Sequence, residues 1–171
     1  MTRSSLLFAL SLLCSAHVVQ GQTEAPKNDL MLFGIVEDQR SGKPLQNVCV
    51  RVYTDSIAGD SVFTDPVGKY QTFVSLGGVH RVVYSGDGHH RKVVQLDTSG
   101  ELDDAARAQE WNMRVDISLM GSELSLPDEL LDTPIGIAEW EPAMREFQWD
   151  QPYTERYKQR FKQAVKEAGK K

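Results

Sequence analysis

Residues 111–120 have the sequence WNMRVDISLM, in which apolar and polar side chains alternate. Successive side chains of a strand point to opposite faces, so this alternation predicts a strand with one buried and one solvated face. The face that we expect to be buried carries Met113, Val115, Ile117 and Leu119. The stretch therefore predicts a sheet that packs on a core through one side.

Similar short runs, rich in β-branched and aromatic residues, begin upstream at residue 30. Turn residues separate these runs at intervals of roughly 8–12 residues, which is typical of a β-sandwich. We also expect one or two helical turns in a polar crossover over residues 101–109. Seven runs with such a crossover predict a mainly β, seven-stranded Greek-key sandwich over residues 30–120. The expected strands cover 31–37, 48–53, 61–64, 69–75, 80–85, 90–97 and 111–120.

The pattern changes beyond residue 120. Residues 121–134 contain two prolines and are predicted to form a linker, and residues 135–171 are predicted to form a hairpin followed by an amphipathic helix. The helix is expected from about residue 152 to 168 and carries an apolar stripe. We expect this stripe to pack on the sandwich; in the alternative, it docks into a partner. Its partner-binding candidates are Tyr153, Tyr157, Phe161 and Val165.

The N-terminus has the features of a secretory signal. Arg3 precedes a short apolar stretch, and small residues up to position 21 suit cleavage, so residues 1–21 are predicted to be a signal peptide and 22–29 a linker. Leu13 is too bulky for the residue before a lipidated cysteine, so we expect no lipoprotein anchor. The chain is therefore expected to be exported to the periplasm or the extracellular space, where membrane contact is not required after cleavage.

The composition is that of a soluble globular protein: 171 residues, of which 40% are hydrophobic and 25% charged. The charge is unevenly distributed, because residues 22–150 carry a net −11 whereas residues 151–171 carry +5. The acidic body argues against a nucleic-acid partner. The basic tail could meet an anionic surface or lie back on the acidic body, and we expect the second arrangement.

Two motifs resemble those of a known family. Residues 34–50 have the sequence GIVEDQRSGKPLQNVCV and residues 64–70 have TDPVGKY, which are similar to two signatures of the carboxypeptidase regulatory-like domain. The resemblance implies a transthyretin-like (prealbumin-like) sandwich of seven strands in a secreted bacterial envelope protein. The zinc-binding motif of the carboxypeptidases that carry this domain is absent from the sequence, so the resemblance implies a fold and no activity.

One stretch of the sequence combines an aspartate with two adjacent histidines. Its residues Asp87, His89 and His90 are weak candidates for metal ligands. Adjacent side chains on or beside a strand point to opposite faces, so the two histidines are not expected to share a metal ion. The sequence also contains no nucleophile elbow and no recognisable catalytic triad. We therefore expect no catalytic residues, no metal and no cofactor.

These observations favour a non-catalytic accessory or interaction module of the bacterial cell envelope, with an envelope protein or a glycan as partner. The sequence does not specify its oligomeric state. A carbohydrate-binding module is the first alternative. It requires at least two coplanar, exposed aromatic rings among Tyr53, Tyr84, Trp111, Trp140 and Trp149. A small secreted hydrolase is the second alternative. It requires an acid and a nucleophile beside His80, His89 or His90.

Overall fold

The computed structural model describes residues 29–170, which form two β-sheets and three helices. The predicted signal peptide and residues 22–28 of the predicted linker lie outside the described residues. The strands are β1 Asp29–Asp38, β2 Cys49–Thr54, β3 Ile57–Phe63, β4 Lys69–Ser75, β5 Val79–Ser85, β6 Lys92–Asp97, β7 Trp111–Arg114, β8 Ile117–Leu119, β9 Ile137–Glu141 and β10 Glu146–Trp149. The helices are α1 Asp104–Arg107, α2 Asp128–Asp132 and α3 Gln151–Ala168.

The smaller sheet is built around β1, which pairs antiparallel with β4 and parallel with both β7 and β8. The predicted strand 111–120 is thus split in two. At the split, the Asp116 carboxylate accepts a hydrogen bond from the Ile35 backbone N–H at 3.0 Å. The opposing residue is Gly34, where an added Cβ would overlap the Val115 carbonyl oxygen. Only a residue without a side chain allows the two backbones to approach this closely.

The larger sheet has the order β10-β9-β6-β5-β2-β3. The predicted hairpin forms β9 and β10, and β9 pairs parallel with β6, so the hairpin continues a sheet of the sandwich. At the opposite edge, β3 begins at Ile57, earlier than expected from the sequence. Asp55 and Ser56 have φ values of 49° and 69° and make a two-residue turn between Thr54 and Ile57. Two positive φ values are the geometry of a tight hairpin turn, which here contains no glycine.

The core lies between the two sheets. The face expected to be buried in 111–120 is confirmed for Val115, Ile117 and Leu119, which are at most 5% exposed, while Met113 is half-buried and packs against the core. Most of the remaining core comes from alternate residues of β1, β2, β5 and β6. The mainly β sandwich with a C-terminal hairpin and helix is therefore confirmed. Its ten strands in residues 29–170 are the seven expected runs, one of them split, together with the hairpin.

Helix α3 follows β10 directly and packs on its own chain. Its start is capped by Asp150, whose carboxylate accepts a hydrogen bond from the Tyr153 N–H at 2.8 Å. The Tyr153 hydroxyl donates to the Pro134 carbonyl at 2.8 Å, and Tyr157 is only 7% exposed. Within residues 29–170, no helix has the length and apolar character needed to cross a membrane.

Candidate functional site: an apolar groove on the outer sheet face

The outer face of the smaller sheet is unusually apolar. Leu30, Leu32 and Val36 of β1 point into the core, and the alternate residues Phe33 and Ile35 point outward and are half-buried. A continuous apolar run is typical of a strand that is covered on both faces. Here it produces an apolar surface on a sheet face that would otherwise be polar.

A groove of about 540 Å³ lies on this face. This volume lies within the range of roughly 300–1,000 Å³ that is usual for ligand sites. Phe63 lies in the groove and is 61% exposed, although it is a large aromatic residue. The apolar lining includes Phe33, Ile35, Val62 and Phe63, and the polar lining includes Asp65, Lys69, Gln71 and Arg114.

The position of Phe63 is fixed by the buried residue that follows it. Thr64 is 2% exposed, and its hydroxyl donates to the Leu45 carbonyl at 2.6 Å while accepting from the Val48 N–H at 2.9 Å. These two bonds tie the end of β3 to the segment that leads into β2. Phe63 is thus presented to solvent by a well-anchored backbone and needs little ordering on binding.

The next residues form a tight turn that closes one end of the groove. One oxygen of the Asp65 carboxylate accepts hydrogen bonds from the N–H groups of Val67 and Lys69, at 2.9 and 2.8 Å. Gly68 has a φ of +74°, which favours glycine, and its backbone passes close to Val36. The TDPVGKY motif thus has a structural role, in which the Asp65 carboxylate stabilises the turn.

Two cationic side chains flank the groove. The guanidinium of Arg114 pairs with Asp116 at 2.9 Å, with both side chains more than half exposed. Lys69 has no carboxylate within 4 Å among the described residues. The groove therefore combines an apolar surface with one cation, Lys69, that has no ion-pair partner among the described residues.

The histidines singled out by the sequence serve to tie loops together. His89 faces the Asp38 carboxylate through Nε2 at 3.3 Å and the Asp87 carbonyl through Nδ1 at 2.8 Å. His90 instead donates to the Leu124 carbonyl at 2.6 Å. Across residues 29–170, no three His, Cys, Asp or Glu side chains are placed to share a metal ion. The structure therefore does not bring Asp87, His89 and His90 together as ligands.

His80 lies apart from the other histidines, inside the sandwich, and is 1% exposed. Its Nε2 is 2.8 Å from the Ser75 carbonyl, so Nε2 carries the proton and Nδ1 accepts from the Thr54 hydroxyl at 2.9 Å. Burial lowers the pKa of the His80 imidazole. No carboxylate hydrogen-bonds its ring, and the arrangement of acid, histidine and nucleophile that the hydrolase hypothesis needs is not formed here.

The aromatic residues considered for carbohydrate stacking form a different arrangement. Tyr84 is fully buried and Trp140 is 9% exposed. The rings of Trp111 and Trp140 meet edge to face at 78°, and Phe147 completes the cluster at 90° to Trp111. Rings at these angles pack a hydrophobic cluster and present no flat platform to a sugar. The other two candidates, Tyr53 and Trp149, are half-buried, and neither belongs to an aromatic pair among the described residues.

The candidate partner-binding residues of α3 mostly contact their own chain. Tyr157 is buried, and burial raises its pKa to about 12. The Tyr153 hydroxyl donates a hydrogen bond to the Pro134 carbonyl. The ring of Phe161 lies 5.7 Å from the Lys92 ammonium, and Val165 is half-buried. While the helix is docked, Tyr157 is not accessible to a partner, and the partner-binding role of these four residues stays a prediction.

The solvent side of α3 is cationic. The tail lies on the acidic body as expected, but the contact is apolar and aromatic. Among ion pairs of the described residues, α3 contributes the internal pair between Lys158 and Glu155, at 2.7 Å. The other exposed cations face solvent without a carboxylate within 4 Å in that part of the chain; they are Arg156, Arg160, Lys162, Lys166 and Lys170.

Sequence reasoning missed the groove. Its signal was present in the run MLFGIV at residues 31–36, which is apolar at both alternating positions. In a sandwich, one of these two faces must lie outside the core. Phe63 carried no such signal, because a single aromatic residue at a strand end is common in buried positions.

Comparison with known proteins gives only partial similarities. No family model matches the chain, and no curated protein matches it. A catechol 1,2-dioxygenase from an Acinetobacter species is similar over 63% of this chain and 56% of its own length, with 16% identity and a TM-score of 0.42. The Bacillus anthracis TIE protein is similar over 54% of this chain and 17% of its own length, with 11% identity and a TM-score of 0.41.

The backbone protein of the group B streptococcus pilus 2b is similar over 54% of this chain and 41% of its own length, with 10% identity and a TM-score of 0.37. The chain thus spans about half or less of these three proteins. Fold similarity at this level transfers no activity, substrate or partner to the chain. The β-sandwich implied by the family resemblance is present, and membership of the carboxypeptidase regulatory-like family stays a prediction.

Proposed function

We propose that the protein is a non-catalytic accessory module of the bacterial cell envelope that is exported and binds a partner through the groove beside Phe63. The observation that carries the proposal is the apolar outer face of the smaller sheet, with an aromatic side chain that is 61% exposed. Exposed apolar patches on soluble proteins mark interaction sites, and buried aromatic anchors contribute much of the energy of interfaces.

The rigidity of the groove supports this proposal. Phe33 and Ile35 lie on the central strand of their sheet, and Phe63 precedes the anchored Thr64. A site built on strands and a braced turn is preformed, so a partner does not have to order it. The sandwich acts as a scaffold that holds the groove open.

The polar groups of the groove also favour binding over catalysis. The Asp65 carboxylate accepts hydrogen bonds from the backbone N–H groups of its turn, and the Arg114 guanidinium forms an ion pair with Asp116. These hydrogen bonds and this ion pair give the two groups structural roles. A reaction would instead need a free general base or nucleophile that points at the ligand. Lys69 remains to attract a negatively charged group on the partner.

Photo-crosslinking tests the proposal. A photoreactive residue replaces the exposed Gln71, which lines the groove, and the protein is irradiated in its native envelope fraction. We expect a discrete adduct that disappears with Phe63→Ser. The matched control is Met144→Ser, because Met144 is 63% exposed and lies in the turn between β9 and β10. The absence of any adduct, or equal loss in both variants, contradicts the proposal.

A further inference from the structure

A second cavity lies between α3 and the body of the protein, and it shares no lining residue with the groove. Its volume is about 290 Å³. Side chains from four parts of the chain line it: Gln39 after β1, Lys92 at the start of β6, Ile135 before β9, and Tyr157 and Phe161 of α3. The cavity therefore exists only while the helix is docked.

The unusual group of this cavity is Lys92. Its side chain is half-buried, and its ammonium donates to the Ser118 carbonyl and, at 3.5 Å, to the Gln39 side-chain oxygen. The Phe161 ring, whose centroid is 5.7 Å away, supplies a further cation–π contact. Among the described ion pairs, none includes Lys92. Its two hydrogen bonds and its cation–π contact are all with neutral groups.

An ammonium that is withdrawn from water without a counter-charge is costly. Removal of a charge from water is unfavourable, and neutral hydrogen-bond partners only partly offset this cost. Burial lowers the pKa of Lys92, and no nearby carboxylate opposes this shift. An anion placed in the cavity would supply the missing charge at short range and in a weakly polar setting.

The remaining lining indicates what kind of anion fits. No acidic side chain lines the cavity, and the second ammonium of the lining, that of Lys158, is already paired with Glu155 at 2.7 Å. The rings of Tyr157 and Phe161 are stacked with centroids 5.9 Å apart, and Ile135 adds an aliphatic surface. A bare inorganic ion would leave these apolar surfaces without contacts. A carboxylate attached to an apolar group would use both parts of the lining.

We propose that this cleft binds a small organic carboxylate, with the anionic group on the Lys92 ammonium and the apolar group against Phe161 and Ile135. The ligand touches both the body and α3, so its binding strengthens the attachment of the helix. This site is independent of the groove beside Phe63.

Calorimetric titration of the purified protein with sodium benzoate tests the proposal, with sodium chloride keeping the ionic strength constant. We expect saturable binding that weakens at least about tenfold with Lys92→Gln, since the variant loses a hydrogen bond between two charged groups. The control Lys166→Gln removes an exposed cation from the solvent side of the same helix and should leave binding unchanged. Inorganic phosphate, which lacks an apolar group, should bind more weakly than benzoate.

A measurement on the unaltered protein keeps the test independent of variant folding. During the same titration, the NMR signal of the Lys92 side chain should shift saturably, with the dissociation constant obtained by calorimetry, while that of Lys166 stays constant. Three results would overturn the proposal: no saturable binding of benzoate, equal weakening by Lys92→Gln and Lys166→Gln, or a Lys92 signal that does not respond. A failure of this test would leave the adduct at Gln71 unaffected.

Discussion

The hydroxyl of Tyr84 donates its hydrogen bond to the hydroxyl of Tyr70, 2.8 Å away in the centre of the core. The direction follows from the next bond, because Tyr70 itself donates to the Val115 carbonyl at 2.8 Å. The two rings meet edge to face at 76°. Burial raises the pKa values of both phenols, so the chain from Tyr84 through Tyr70 to Val115 stays protonated at physiological pH.

This direction predicts unequal effects of two similar substitutions. Tyr70→Phe leaves the Tyr84 hydroxyl without an acceptor and the Val115 carbonyl without a donor, and should lower the free energy of unfolding by about 2–3 kcal/mol. Tyr84→Phe keeps the bond to Val115 and should cost about 1 kcal/mol. Urea denaturation of the two variants measures the difference, and equal losses would show that the direction is wrong.

The buried His80 predicts a dependence of stability on pH. Its pKa is lowered on folding mainly by burial, which outweighs the Ser75 carbonyl and the more distant Asp29, Asp55 and Asp97 that favour the charged form. The unfolded state therefore binds the proton more readily. The contribution of His80 to stability is complete above the ordinary imidazole pKa of 6.5 and declines as the pH falls below it.

An NMR titration of the native protein measures this directly. The His80 ring should remain neutral at a pH where a free imidazole is already half protonated. Urea unfolding at pH 7.5 and 5.5 should show a loss of stability at the lower pH that is reduced in His80→Gln. A His80 ring that titrates at or above the ordinary value would contradict the prediction.

Gly34 predicts a strongly position-dependent effect of an added methyl group. In Gly34→Ala the new Cβ overlaps the Val115 carbonyl oxygen, so the backbone of one of the two strands must move. We expect a loss of about 3 kcal/mol or more, comparable to overpacking a core. Gly59→Ala, on the exposed strand β3, brings its Cβ only to 3.3 Å from the Val52 oxygen and should cost less than about 1 kcal/mol. Thermal unfolding of the pair tests this contrast.

The docking of α3 predicts that its buried aromatic residue stabilises the whole protein. Tyr157→Ala removes a side chain that is 7% exposed and should lower the free energy of unfolding by about 3 kcal/mol. Lys166→Ala on the solvent side of the helix should change it by less than about 0.5 kcal/mol. If chemical denaturation showed no effect of Tyr157→Ala, the helix would not be packed on the body in solution.

Most of the fold could be predicted from regular patterns in the sequence. The alternation in 111–120 correctly assigned the buried face, and the helix expected over about 152–168 forms over Gln151–Ala168. Local signals were sufficient there, because both elements show an amphipathic period and the helix has a capping residue at Asp150. The early start of β3 was missed because its turn, Asp55–Ser56, lacks the glycine that usually marks a hairpin.

The groove and the cleft depend on distant pairings that no local pattern encodes. Phe63 approaches Phe33 only because the chain crosses from one sheet to the other after β3. Lys92 loses much of its solvent because a helix that begins 59 residues later covers it. The sequence correctly indicated that α3 would have an apolar side, and the position of Lys92 beneath it required the three-dimensional structure.

The parallel pairing of β9 with β6 has a consequence for truncated forms of the chain. Gln95–Asp97 of β6 obtain their outer backbone partners from residues 137–139, about 40 residues later in the sequence. Without these partners the larger sheet would end at β6 in unpaired N–H and C=O groups, which are a template for other strands. Loss of the hairpin would therefore leave a chain prone to aggregation through this edge.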